Sequence, residues 1–232
     1  LRFHPVIKEL KERVQGKKIL HVRASVSAYL PNWRPGTDHK KSYSANAAQG
    51  GGVLLDLSHE FDYLEYLFGP IADMKGWYGR VSNVTVDAED AADVVMTAGG
   101  APVNLHMNFM SRFEERKVII DFEGGYIVGD LLNNRVEWVD GNKKEEKTFT
   151  PLESSAIYGK GEIHNNPSPY RKDGVKGSSF LTGFTTTRDE YFKEQLDYFF
   201  ANLGNPKIMN NLEEASALLK NILDFKQKNA IL

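Results

Sequence analysis

Hydrophobic positions along this chain switch between two periods, and the switches mark out its elements. After Pro5, the apolar residues Val6, Ile7, Leu10 and Val14 fall at helical spacing and stop at Gly16, which predicts a short amphipathic helix with proline in its first turn. Leu20, Val22, Ala24, Val26, Ala28 and Leu30 then alternate with His21, Arg23, Ser25, Ser27 and Tyr29. A period of two predicts a long strand with one dry and one polar face. Residues 31–49, PNWRPGTDHKKSYSANAAQ, hold turn formers, both signs of charge and no period. They read as a long surface loop, of the kind that often carries function.

Helical spacing returns over 53–68 and is closed by Gly69-Pro70. Strand-like runs succeed it at 72–82, 92–98, 102–111, 116–124, 126–131 and 135–140, separated by glycine, asparagine and acidic turns. Connections this short leave no room for crossover helices, so antiparallel pairing is expected. In the third run Val103, Leu105, Met107 and Phe109 alternate with Asn104, His106 and Asn108, again one dry and one polar face. Residues 153–187 are rich in Gly, Ser, Thr and Asn and receive no assignment beyond an excursion or lid. Two amphipathic helices end the chain, the first stopped by Gly204 and Pro206, the second opened by Asn211 with Glu214 three residues on. The fold class expected is α+β: a large, open, mostly antiparallel sheet with helices on one face.

Composition narrows the partners. At 232 residues the chain can be one large domain or two small ones. Its 29 basic and 31 acidic residues give a formal charge of -2, which offers no basic footprint for a nucleic acid. The absence of cysteine excludes disulfides, thiolate metal sites and cysteine nucleophiles, and agrees with a reducing compartment. No apolar run reaches about 18 residues and no leader is visible, so neither a membrane nor export is expected, and the cytoplasm is the default. The chain opens at Leu1 on what reads as the entry to a helix, and a fragment of a longer protein is expected.

Candidate chemistry concentrates in GGGVLLDLSHEFDYLEYLFG, residues 50–69. At about 100° per residue, Leu54, Leu57, Phe61, Leu64 and Phe68 form the buried stripe, and Asp56, His59, Tyr63 and Tyr66 gather on the opposite face. Asp56 and His59 are i,i+3, and His59 and Tyr63 are i,i+4, so their side chains are expected to be neighbours. An imidazole beside a carboxylate suits general-base work on a hydroxyl. The preceding glycines permit close approach of a ligand, and free N–H groups at a helix start favour an anion. A solvated helix face has the same pattern, although two tyrosines on such a face point to something covering it.

Elsewhere, Arg34 with Lys40 or Lys41 in the long loop, and Tyr43 near the glycines, are candidates for a phosphate or carboxylate, or are plain surface. His21, Arg23, Asn104 and His106 line a polar sheet face that either faces a cleft or subunit contact or is simply wet. His4, His39 and His164 stand in unlike contexts, and no metal site is expected.

The glycine segment and its helix resemble the glucose-fructose oxidoreductase, inositol dehydrogenase and MocA (Gfo/Idh/MocA) family, in which a GG pair precedes an Asp and a His on a helix ending in leucine-glycine. LRFHPVIKELKERVQGKKILHVRASV, NWRPG, DEYFKEQLDYFF and NLEEASALLKNIL also resemble that family's C-terminal domain, so the likeness covers nearly the whole chain. YLPNWRPGTDHKKSYSA resembles members that make surface sugars and nonulosonic acids.

The resemblance implies that residues 1–232 form a substrate-binding and oligomerisation domain whose N-terminal Rossmann domain is absent from this chain. No G-x-G-x-x-G and no Glu-Lys-Pro segment occurs in it. It implies hydride transfer between a carbohydrate hydroxyl carbon and NAD or NADP, held mainly by the missing half, with that half's lysine and His59 sharing proton movement. It implies His59 as proton-transfer residue and Asp56 as its partner. Only Leu57 and Ser58 separate these two where the family has three residues, which displaces Asp56 and brings in Asp62 as an alternative partner. Asp62, Tyr63, Arg34 and Tyr43 become substrate-binding candidates, and Gly51 and Gly52 approach the cofactor. A homodimer or tetramer through the sheet face is expected. Two other readings stand beside this one: a non-catalytic sugar-binding or assembly domain of the same fold, and a hydrolase or epimerase using Asp56 and His59 without nicotinamide.

Overall fold

A computed structural model describes residues 1–34, 36–149, 187–205 and 207–229. Helix α1 (Pro5–Arg13) starts on Pro5 in its first turn, with His4 as N-cap, whose Nδ1 accepts the N–H of Val6 at 3.2 Å. Strand β1 (Ile19–Ser27) comes after it, then four short 3-10 turns between residues 30 and 49. Helices α2 (Val53–Asp56) and α3 (Ser58–Phe68) come next, then strands β2 (Ile71–Gly79), β3 (Ala91–Ala98), β4 (Ala101–Asn108), β5 (Glu115–Phe122), β6 (Gly125–Asp130), β7 (Arg135–Asp140) and β8 (Lys143–Thr148). Helices α4 (Thr187–Ala201) and α5 (Leu212–Lys228) close the described chain, and the expected excursion or lid, 153–187, lies outside the described residues but for its last residue.

The eight strands form one open sheet in the order β2-β3-β4-β1-β5-β6-β7-β8, antiparallel at every pair except β1 with β4. The sheet is thus mostly antiparallel, as expected, and its one parallel pair has a cause in the chain path. The long excursion between β1 and β4 passes through α2, α3 and a hairpin, so β4 returns beside β1 running the same way. One row of paired residues, Val94, Leu105, Ala24, Val118, Gly129 and Val136, crosses six strands on a single face. Five of these are buried apolar side chains, and helix α1 reaches the sixth, Gly129, where an added Cβ would meet Leu10 and Val6. The helices therefore cover one face, as the dry alternation requires. Leu20 breaks that alternation at 48% exposure, because a register irregularity between Ile19 and His21 turns it outward.

Helix α3 buries Phe61, Leu64 and Leu67 in this core, together with Leu54 and Leu57 before it. The predicted single helix over 53–68 is interrupted at Leu57, whose φ of -100° and ψ of 22° rotate α3 relative to α2. That rotation decides which polar residues of the segment meet. Helix α5 begins on Asn211, whose side chain accepts the Glu214 N–H at 3.0 Å, as its sequence predicts.

Candidate active site

The break at Leu57 separates the polar residues of 50–69 into groups with different surroundings. Asp56, at the end of α2, accepts the Tyr43 hydroxyl at 2.9 Å on Oδ1, while its Oδ2 has no hydrogen-bond partner. The guanidinium of Arg34 lies 5.4 Å from the centre of the Tyr43 ring. Thus Arg34, Tyr43 and Asp56 are brought into one chain of contacts. Asp62 sits apart from them, gripping Arg2 at 2.8 Å and tying the start of the chain to α3.

His59 pairs with Glu60 and Arg116 rather than with Asp56 or Asp62. Its Nε2 lies 3.3 Å from Glu60 Oε1 and is hydrogen-bonded by Arg116. Arg116 and Glu60 are themselves joined at 2.6 Å, with the arginine side chain 3% exposed and the glutamate 0%. The outer edge of the imidazole remains open, with the side chain 36% exposed. Burial of the inner part of the ring, and then the Arg116 guanidinium against it, hold the His59 pKa well below the usual histidine value. The imidazole is therefore neutral at pH 7. Because both Arg116 and Glu60 address Nε2, the two neutral tautomers each find a partner: Nε2 accepts from Arg116, or Nε2–H donates to Glu60 and leaves Nδ1 a free acceptor.

Tyr63 is placed differently from the sequence expectation. Its ring is fully buried rather than on the outer face with His59, and its hydroxyl lies beside Glu60. Burial first and the Glu60 charge second raise its pKa well above 10. It supports the back of the pair rather than lining the front. Tyr66 is half-buried, with Arg2 and Lys11 over its ring at 5.3 and 4.9 Å.

The glycines have protein neighbours. A Cβ on Gly51 would enter the Tyr43 and Ser44 carbonyls, and one on Gly52 would enter the Glu89 carboxylate. Glu89 accepts the Val53 N–H on its carbonyl at 3.1 Å and the Leu54 N–H on its carboxylate at 3.4 Å, and Lys226 holds that carboxylate at 2.9 Å. The anion at the start of α2 is thus supplied by the chain itself. Gly52 has a φ of 98°, so Gly52→Ala adds left-handed strain to a clash with Glu89. A loss of about 2 kcal/mol or more is expected, read from urea denaturation, whereas Gly50→Ala, which meets nothing within 4 Å, should cost less.

On the uncovered sheet face His21, Arg23 and His106 pair with carboxylates of neighbouring strands. Arg23 bonds Asp121 at 3.2 Å with His21 at 4.0 Å from the same oxygen, and His106 bonds Asp93 at 2.7 Å. Among the described residues no three of His, Asp and Glu gather as a metal set, and no helix is long and apolar enough to cross a membrane.

Glu60 and Arg116 were not among the sequence candidates. Arg116 did leave a signal: it has the phase of Val118, Ile120 and Phe122, the buried residues of β5, so its sequence position sets a charge on the dry face.

The profile of the GFO/IDH/MocA C-terminal domain matches residues 7–128, a little over half of the chain. Among curated proteins no match to the sequence is found. Similar solved structures include an oxidoreductase domain protein from Kribbella flavida, with a TM-score of 0.68 and 16% identity over 97% of this chain and 61% of that one. UDP-N-acetylglucosamine 3-dehydrogenase GnnA from Acidithiobacillus ferrooxidans has a TM-score of 0.64 and 17% identity over 98% of this chain and 59% of its own. The WlbA dehydrogenase from Bordetella pertussis, in complex with NADH and UDP-GlcNAcA, has a TM-score of 0.60 and 16% identity over 97% and 60%. At these identities the likeness is one of fold, and the chain spans about three-fifths of the length of these structures.

Proposed function

The chain belongs to the GFO/IDH/MocA family, as its C-terminal domain, and from that premise we propose that it is the substrate half of a nicotinamide-dependent oxidoreductase acting on a carbohydrate hydroxyl. The observation that carries the reading is the half-open, neutral imidazole of His59, backed by a buried Glu60–Arg116 pair. A neutral imidazole with one edge free is a proton acceptor poised for a hydroxyl. In the oxidising direction the hydroxyl proton passes to Nδ1 of His59, with Nε2–H turned to Glu60, while the carbon gives up its hydride; in the reducing direction His59 returns the proton to the carbonyl oxygen.

Nicotinamide, when bound, supplies the hydride acceptor or donor. The described residues offer no dinucleotide cradle, since the space before Gly51 and Gly52 is filled by Tyr43, Ser44 and Glu89, so we place the cofactor mainly on a Rossmann domain elsewhere in the protein. We give the Asp56 carboxylate, oriented by the Tyr43 hydroxyl, to a sugar hydroxyl, and Arg34, over the Tyr43 ring, to an anionic group. The solved neighbours whose names include UDP-N-acetylglucosamine and UDP-GlcNAcA favour a nucleotide sugar as that anionic substrate. A subunit contact fits the uncovered sheet face, where Leu20 and Val95 are 48% and 53% exposed.

The test uses the full-length protein with NAD⁺ or NADP⁺ and a panel of nucleotide sugars, including these two. Substrate-dependent formation of reduced nicotinamide is expected. Turnover of a sugar by this chain without nicotinamide would favour the hydrolase or epimerase reading, and no turnover with any member of the panel would favour a binding or assembly domain.

A further inference from the structure

Ion pairs shut away from water are costly, and exchanging one for apolar residues of similar volume is often neutral or stabilising, so a buried Arg–Glu pair is weak as a device for stability alone. Here the pair has a third member. Arg116 reaches from the dry face of β5 to Glu60 at 2.6 Å and also donates to His59, whose Nε2 lies 3.3 Å from the same Glu60 oxygen. Two charged groups from two elements converge on one imidazole nitrogen.

We propose that Arg116 is a positioning residue for His59: its guanidinium, joined to Glu60 beside Nε2, opposes that carboxylate, so that the glutamate favours the imidazolium and the arginine the neutral ring. This rests on the reading of His59 as the proton-transfer group and adds what sets its charge. The geometry explains why both residues are buried. Glu60 alone against the imidazole would form an imidazolium–carboxylate pair and hold the proton too tightly to return it. Arg116 occupies the same carboxylate and competes for it. The other charged or titratable groups facing this cluster are Tyr63 on α3, Asp62 with its Arg2 partner, and His4 at the N-cap of α1. Asp62 is engaged by Arg2, and His4 is itself kept neutral, so Arg116 and Glu60 are the charges in contact with His59.

The two residues then predict shifts of opposite sign. In full-length protein with ¹³C-labelled histidine, His59, assigned from the His59→Gln spectrum, is expected to titrate well below an ordinary histidine. Arg116→Met should raise its midpoint by ~1 pH unit or more, and should carry the acidic limb of the kcat profile with it. Glu60→Gln should leave the ring neutral, and Arg116→Met/Glu60→Met, which removes both charges, should fall between wild type and Arg116→Met.

A folded Arg116→Met protein with an unchanged His59 midpoint would overturn the proposal. Should Arg116→Met fail to fold by near-ultraviolet circular dichroism, a wild-type His59 that titrates at an ordinary histidine value, or a Glu60→Gln midpoint above wild type, would overturn it equally. The reading beneath it fails separately: full activity in His59→Gln removes the catalytic role while leaving the titration result standing.

Discussion

His59→Ala in the full-length protein is expected to lower kcat for nicotinamide-linked turnover by about 10²- to 10⁴-fold, the range lost with a general acid–base group. KM should change far less, because the residues given to substrate binding, Asp56, Tyr43 and Arg34, form their own chain of contacts one turn away. The fold should tolerate the change. The His59 side chain is 36% exposed, and the core beneath it is built by Phe61, Leu64 and Leu67. What remains after truncation is the Arg116–Glu60 ion pair at 2.6 Å. Thermal denaturation within a few degrees of wild type together with a large loss of kcat would separate a catalytic role from a structural one. A residual rate near wild type would remove His59 from the chemistry.

Stability should fall steeply in mild acid, and His4 should account for much of the fall. Its ring is 1% exposed and its Nδ1 accepts the Val6 N–H, a bond that only the neutral ring can make. Burial, then the charge of Arg116, hold its pKa down to about 3. Above pH 6.5 the folded and unfolded chains bind the same number of protons at this site, and no stability depends on it. Below 6.5 the unfolded chain takes up a proton that the folded chain refuses, so stability decreases as pH falls, until the folded histidine also protonates near pH 3. At about 1.4 kcal/mol per pH unit the full window is worth up to about 5 kcal/mol. His59, lowered in the same direction, steepens the upper part of that decline. His4→Asn keeps a good N-cap without a titrating ring. It should be less stable than wild type at pH 7, having lost its ring contact with Tyr191, yet show a shallower decline between pH 6.5 and 4 in urea denaturation. Equal slopes for the two proteins would contradict this assignment.

The architecture was legible wherever burial left a period. β3, β4, β6 and β7 appear close to where alternation and turn residues put them, because each has one face on the core. β8 was invisible for the opposite reason: KKEEKT lies at the sheet edge, almost wholly exposed, and has no apolar residue to alternate. Its one inward reach is Lys147, which bonds Glu9 of α1 at 2.5 Å. The parallel pairing of β1 with β4 depends on how the chain returns after a long excursion, which no local pattern encodes.

At the site, His59 stood out by its neighbours in sequence, but its partners did not. A straight helix would have kept Asp56, His59 and Tyr63 on one face. The interruption at Leu57 has no proline or glycine to announce it, and it sends Asp56 to Tyr43, Tyr63 inward, and His59 to Glu60. The glycine run reads as a place for a ligand's close approach, and the groups that approach Gly51 and Gly52 in the structure are the chain's own Tyr43, Ser44 and Glu89.

The most direct test of the oxidoreductase reading tracks one hydrogen atom. Full-length protein is given oxidised nicotinamide and a nucleotide sugar deuterated at the ring carbon undergoing oxidation, and the nicotinamide product is examined by NMR. Deuterium is expected at the nicotinamide C4 position, with the rate of its appearance reduced at least ~10²-fold by His59→Ala. A converted sugar with no deuterium on nicotinamide, or transfer at an unchanged rate without His59, would contradict that reading.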